Sequence, residues 1–392
     1  MLISENLFWI SLTILFYCYI GYGILLFLIN KFTSLFRHAR PGDPVFQPAI
    51  TLIISAYNEE HILKEKIANT LQIDYPKDQL TVIFITDGSV DRSMEMIKAN
   101  GSFTLLHQPE RKGKLAAIKR AMQIVTTPIV VFSDANSMLN SECLTRIANH
   151  YRNATTGGVA GEKKILKTES SAVGKAEGLY WQYESFMKKQ DAAFNTVVGA
   201  AGELFSVRTE LFVAPEDHII LDDFVISMNV CLKGYKIEYE PRAYATEMPS
   251  ANIGEERKRK IRISAGAYQS IGVLKKAFNF FRHPLLTIQY LSRRVLRWVV
   301  CPVMLIALFI SNFFIVVTID SFLFNCFLIA QVAFYLAAIV GWIMMKRSKS
   351  AGIFTVPFYF LFMNWCLIIG FTRFAMKKQT VIWDKSARQA VS

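Results

Sequence analysis

Asp134 and Asn136 place two oxygen-bearing side chains two positions apart, just after the uncharged run IVVFS. In extended backbone such positions point the same way, so both can face one divalent cation, a hard ion that prefers oxygen ligands. The same residue types serve equally well in a turn or at a helix N-cap. Asp222 and Asp223 open a helix that ends by Gly234. Paired acids there either complement the helix dipole or include a general base, a carboxylate that takes a proton from an attacking hydroxyl. Cations gather in two segments. Residues 111–114, RKGK, precede a helix and can cradle an anion at its N-terminus or form a solvated loop. Residues 257–262, RKRKIR, can clamp an anion or lie on a membrane surface. Residues 199–203, GAAGE, are small enough to lie against a ligand or to make a plain turn.

The elements that must position these side chains alternate. Apolar, β-branched runs at 50–55, 81–86, 103–107 and 129–133 read as strands, with helices at 58–69, from about 91, and at 115–125. Alternation at this spacing predicts an α/β domain with a mostly parallel sheet and helices on both faces. Ligands of such sheets bind beyond the carboxyl ends of the strands. Asn58 and Glu59, then Asp87, Gly88 and Ser89, then Asp134 and Asn136 all fall there. No GxGxxG follows the first strand and no GxxxxGK[ST] occurs, which excludes a dinucleotide fold and a P-loop. Any phosphate must be met by carboxylates with a metal, or by Arg and Lys.

The chain has 392 residues, 52% apolar and 19% charged, which excludes disorder. Runs 7–30, 299–319, 322–345 and 350–372 contain no Asp, Glu, Lys or Arg. Each supplies the roughly 20 helical residues that cross a hydrocarbon core about 30 Å thick. The first run lacks a basic n-region and a small-residue cleavage site, so it reads as a retained anchor. Lys31, Arg37 and Arg40 follow it, which predicts the N-terminus outside and the soluble region in the cytoplasm of a multi-pass membrane protein. The formal charge is +13. Its excess sits beside the apolar runs, at Arg293, Arg294 and Arg297 and at Lys346, Arg347 and Lys349, without an aromatic-interleaved stripe. That favours membrane lipid and phosphate over nucleic acid. The six cysteines show no disulfide or zinc spacing. Residues 280–298 read as an interfacial amphipathic helix. Three spans after it put the C-terminus outside, whereas Arg373, Lys377, Lys378, Lys385 and Arg388 favour inside; Gly352, Pro357 and Gly370 leave a re-entrant arrangement open for 350–372. The domain reading is therefore 1–45 anchor and basic linker, 46–275 catalytic domain, 276–298 interface helix, and 299–392 membrane region with a basic tail.

The order YNEE, DGS, KGK, FSDAN, GAAGELF, LDD, RxxR resembles the cytosolic domain of membrane-embedded family-2 glycosyltransferases, the relatives of cellulose, hyaluronan and poly-N-acetylglucosamine synthases. The resemblance covers nearly the whole chain and implies a GT-A-type fold. It implies that Ala56, Tyr57, Glu59 and Asp87 line the nucleotide of a UDP-type sugar donor, with Lys114 approaching from the side. Asp134 and Asn136 stand where that family has its DxD motif for Mg²⁺ or Mn²⁺; Asn is neutral, so Asp134 should carry most of the metal binding. Gly202 and Glu203, with Asp222, fall on the acceptor side. Asp222-Asp223 looks like the family's TED motif, making Asp223 the base. The QxxRW motif aligns with residues 259–263, where Arg262 is kept for the diphosphate but Arg259 and Ile263 replace Gln and Trp. That departure bears on polymer extension. The implied activity is inverting transfer of a hexosyl or N-acetylhexosaminyl group to a hydroxyl of a growing polysaccharide or lipid-linked glycan. The alternatives are a non-processive transferase to a lipid carrier and, in a different class, a nucleotide-sugar-binding scaffold or transporter. Against a transporter, the spans carry no ionisable residue to mark a substrate path.

Overall fold

The computed structural model describes residues 2–35, 46–166, 172–347, 349–378 and 388. Arg37, Arg40 and Lys385, and most of the basic linker, lie outside the described residues. Among the described residues eight strands form one sheet: β1 (Ile50–Ala56), β2 (Leu80–Asp87), β3 (Thr104–Gln108), β4 (Ile129–Asp134), β5 (Met138–Leu139), β6 (Thr156–Ile165), β7 (Leu204–Arg208) and β8 (Lys236–Glu247). Their order is β3-β2-β1-β4-β7-β6-β8-β5. The first four are parallel, as alternation predicts. They read as continuous apolar runs because both faces are buried: Leu52 and Ile54 pack with Phe84 and Val131 on one side, Ile53 with Ile83 and Phe132 on the other. Helices Glu60–Leu71 and Cys143–His150 cover the first face, and Lys114–Met122 and Asp222–Leu232 the second.

The second half of the sheet is mixed. β7 runs antiparallel to β4, β6 antiparallel to β7, β8 parallel to β6, and β5 antiparallel to β8. This reversal matters for the site. Because β7 is antiparallel, its first residue Leu204 lies opposite Ser133, so residues 199–203 arrive at the same sheet end as Asp134. In the parallel half, Ser55 pairs with Asp134 and Ala56 with Thr86, bringing the ends of β1, β2 and β4 level.

Among the described residues four helices are long and apolar enough to cross a membrane: Leu2–Ser34, Pro284–Thr318, Phe322–Lys346 and Gly352–Ala375. The second is continuous with the stretch expected to lie as an interfacial helix, through a wider-turned segment at Leu291–Val300. Its arginines do not face headgroups. Arg293 is buried and pairs with Glu184 at 2.6 Å and Asp191 at 3.2 Å, and Arg297 reaches Glu184 at 2.7 Å. Both acids lie on Ala172–Phe194, a helix that hydrophobic spacing does not reveal because its buried face is charged. The Tyr22 hydroxyl donates to Asp191 at 2.7 Å, tying the N-terminal span into the same network. Removing one partner from such a cluster strands a buried charge, at a cost of about 3–5 kcal/mol.

The last apolar run is one unbroken helix, Thr355–Ala375, rather than a re-entrant pair. Pro357 lies in its first turn, where a missing N–H breaks no helical bond. The helix runs along Ile253–Val273. Tyr359 donates to Glu256 at 2.8 Å, Gly370 meets Ser264, and Phe371 packs on Tyr268. A Cβ at Gly370 would stand 2.4 Å from Ser264 Cβ and 2.9 Å from the Ala265 nitrogen, so only glycine permits this approach. At the chain's end, Arg388 donates to Glu247 at 2.9 Å and to the Met248 carbonyl at 3.0 Å.

Candidate active site

The expected site residues gather in two adjoining groups at the carboxyl end of β1, β2 and β4. In the first, the loops after β1 and β2 are fastened together. Asn58, at a φ of 51°, accepts the Val90 N–H at 2.9 Å through its side chain, and the Glu59 and Glu60 amides donate to Ser93 and Asp91 at 3.1 and 3.0 Å. Arg111 stacks over the Tyr57 ring at 3.8 Å. Gly88, at a φ of 68°, leaves no room for a side chain: a Cβ there would be 2.7 Å from Arg111 Cβ. Ala56 is buried at the end of β1, and Glu59 begins the next helix by accepting the Ile62 and Leu63 amides.

Of the two readings of the 111–114 loop, an anion cradle or a solvated loop, the structure shows a cradle filled from within: the Lys112 and Gly113 amides donate to Asp87 Oδ2, at 2.9 and 2.6 Å. A carboxylate of the chain itself takes the place of a bound anion. Asp87 Oδ1 is buried without a hydrogen-bond partner among the described residues, which leaves one acceptor at this strand end.

The second group is built around charge. Lys114 Nζ donates to Asp134 Oδ1 at 2.5 Å. The next helix starts only at Cys143, so the Asp134 carboxylate is not a helix cap; its backbone carbonyl accepts the Ser137 amide at 3.1 Å in the turn that follows. Asn136 sits in the turn after β4, which the buried Lys66 fixes by donating to the Ser137 carbonyl and to the Ser133 hydroxyl, the latter at 3.4 Å. Gly202 lies against the centre of the group: a Cβ on it would be 3.1 Å from both Asp223 Oδ2 and Lys114 Nζ. Arg262 reaches the group from Ile253–Val273, where Asp222, Asp223 and Asp134 support its charge against burial. The rest of the 257–262 segment divides. Arg257 and Lys258 are exposed, whereas Arg259 is locked to Glu177 and to Glu256, the latter at 2.8 Å. Glu203 turns from the centre to Lys163, which also holds Glu247 at 2.7 Å.

The helix that carries the paired acids is capped by Leu221, so Asp222 and Asp223 are its first two residues and not its N-cap. Asp223 Oδ1 accepts the Phe224 amide at 2.8 Å. Burial first, and then the charge of Asp222, push the Asp223 carboxyl up to about 7 against the pull of Lys114. A carboxylate poised there is suited to proton transfer at neutral pH. Lys114 itself is held above its usual value: burial opposes its charge, but Asp134 and Asp222 outweigh that.

The Asp223 shift has a consequence for stability. The folded state keeps a proton on Asp223 up to about pH 7, while the unfolded chain releases it near the usual 3.8. Between those values the unfolded state binds fewer protons, so this group makes stability fall as pH rises, and its effect is constant above about 7. Asp223→Asn removes the effect. Its thermal midpoint should gain on wild type progressively from about pH 4 to about pH 7 and then level off. A difference that does not change with pH contradicts the buried, like-charged setting.

The comparisons with known proteins fit this geometry. Residues 51–213 match the family described as Glycosyl transferase family 2. Two similar curated proteins are the poly-beta-1,6-N-acetyl-D-glucosamine synthases of Staphylococcus aureus (strain COL), 27% identical over 229 residues, and of Staphylococcus epidermidis, 26% identical over 229 residues. Each match covers 56% of this chain and 55% of the relative, so the chain spans about half the length of the curated relatives it matches. A solved mannosyltransferase, PcManGT from Pyrobaculum calidifontis in complex with GDP-Man and Mn²⁺, superposes with a TM-score of 0.70 at 19% identity, covering 95% of this chain and all of that one. That likeness is one of fold, and it covers the apolar helices as well as the sheet. The chain therefore has the expected GT-A-type α/β architecture with added apolar helices.

Proposed function

We propose that this chain is a glycosyltransferase that moves a sugar, an N-acetylhexosamine first among candidates, from a UDP-sugar to a hydroxyl of a growing glycan at the membrane, with inversion at the anomeric carbon. The convergence of Asp223, Lys114, Asp134 and Arg262 at the carboxyl end of the sheet carries the reading. Asp223 accepts the proton of the acceptor hydroxyl as that oxygen attacks. Arg262 and Lys114 face the charge that grows on the departing diphosphate, and a preorganised cation there lowers the barrier without reorganising at the moment of reaction. Ala56, Tyr57, Glu59 and Asp87 hold the nucleotide, with the free oxygen of Asp87 as acceptor for a base or ribose donor. Asp222 and the 202–203 segment bound the acceptor side.

A divalent cation fits the residues present. Among the described residues no three His, Cys, Asp or Glu stand together to hold a metal alone. Mg²⁺ is nevertheless commonly bound by one or two carboxylates with substrate phosphates completing its shell, and Mn²⁺ shares its taste for oxygen ligands. Asp134, with Asn136 as a neutral oxygen ligand, would hold such an ion in competition with Lys114. The ion would supply charge neutralisation on the diphosphate.

Packing supports one topology. Thr355–Ala375 runs along Ile253–Val273, whose Arg257 and Lys258 are exposed, and Arg388 reaches Glu247 of the catalytic domain. We therefore read the last apolar helix as lying at the membrane surface. Two crossings then follow the domain, and the basic C-terminus returns to the cytoplasmic side with it.

The purified chain should release UDP from one member of a panel of UDP-sugars in the presence of Mn²⁺ or Mg²⁺, and chelation should stop it. Binding of UDP-sugars without turnover of any of them would favour the scaffold reading.

A further inference from the structure

Lys188 is 3% exposed, and its ammonium has no hydrogen-bond partner among the described residues. Two more buried polar atoms in that condition are Trp181 Nε1 and Glu203 Oε2. The three belong to one place. The Trp181 ring centroid is 5.5 Å from Lys188 Nζ and 5.0 Å from Lys163 Nζ, and Lys163 binds the other oxygen of Glu203. Tyr239 closes a side, its ring centroid 5.9 Å from Lys188 Nζ and its hydroxyl donating to Glu162. The charges of Glu162 and Glu203 act on Lys188, although burial outweighs them and draws its ammonium below the usual range. The set also begins one residue from the reacting centre, since Gly202 faces Asp223 and Lys114.

Leaving a buried polar atom unsatisfied is costly, so three together mark a place where something else satisfies them. Two are donors, one is an acceptor, and an aromatic ring lies among them. A phosphate would use only donors. An apolar ligand would leave all three unsatisfied. A pyranose ring has a C–H face to lie on the indole and hydroxyls that both donate and accept.

We propose that Trp181, Lys188 and Glu203 form the subsite that holds the terminal sugar of a neutral glycan acceptor, with the Trp181 ring as its stacking face and Lys188 as the donor that fixes its register. The inference rests on the proposed transferase activity and deepens it. Lys188→Met keeps the length of the side chain without its ammonium, and Trp181→Phe keeps a ring without Nε1. In the full chain, with UDP-N-acetylglucosamine, Mn²⁺ and a short β-linked N-acetylglucosamine oligosaccharide as the added acceptor, each variant should raise the half-saturating acceptor concentration tenfold or more. UDP affinity should stay within about twofold, and the thermal midpoint of Lys188→Met should not fall, because an unpartnered buried amine has been removed. A purely structural role predicts the opposite split, a lower midpoint with unchanged acceptor dependence, and overturns the subsite. Wild-type donor turnover that the oligosaccharide does not stimulate also overturns it. Failure of wild type to turn over any UDP-sugar contradicts the proposed function instead.

Discussion

Asp223→Asn should fold, bind UDP and Mn²⁺ as wild type does, and transfer almost no sugar. The amide keeps an oxygen for the Phe224 N–H, and Leu221 remains the helix cap, so nothing in the local fold depends on the negative charge. What the amide cannot do is accept a proton at neutral pH. Loss of a general base typically removes about a hundredfold to ten-thousandfold in rate. Asp222→Asn is the informative neighbour. Its charge is among the causes that hold Asp223 up, so neutralising it should leave transfer intact and move the acidic limb of the rate profile to lower pH. UDP release and UDP binding, each measured across pH, separate the two. Loss of transfer in Asp222→Asn alone would mean that the base is the first acid of the pair.

Arg262→Ala should lower turnover by about a hundredfold or more, the scale of removing one preorganised charge from a developing anion. Arg262→Lys should recover only part of this, because a lysine cannot make the bidentate contact that a guanidinium makes with a diphosphate. The helix that carries Arg262 is held elsewhere, by Tyr359 on Glu256 and by the close approach of Gly370 to Ser264, so its position should survive the substitution. Near-normal turnover in both variants would reassign Arg262 to supporting Asp222 and Asp223.

The half of the site that the sequence reveals is the half built on the parallel strands. Their residues are buried on both faces and so read as uninterrupted apolar runs, and the polar residues after them stand out by contrast. β6 and β8 do not read this way. β6 is interrupted by glycines at 157, 158 and 161, where a Cβ would press into neighbouring side chains, and β8 alternates charged with apolar residues. Lys163, Glu203 and Glu247 form one buried cluster from three distant segments, which no local spacing signals. The Ala172–Phe194 helix hides for a related reason: Glu177, Glu184, Lys188 and Asp191 are on its buried side, so apolar periodicity is absent where packing is tightest. Arg293 and Arg297 show the same limit, since a basic residue beside an apolar run has the same letter whether it meets a lipid headgroup or Glu184.

The central claim is a single in-line displacement with Asp223 as base, and the anomeric configuration of the product tests it most directly. With an α-linked UDP-sugar, proton NMR of the first product formed by the purified chain should show a β-linkage. An α-linked product would require a second displacement, and would contradict the assignment of Asp223 as the base of a one-step transfer.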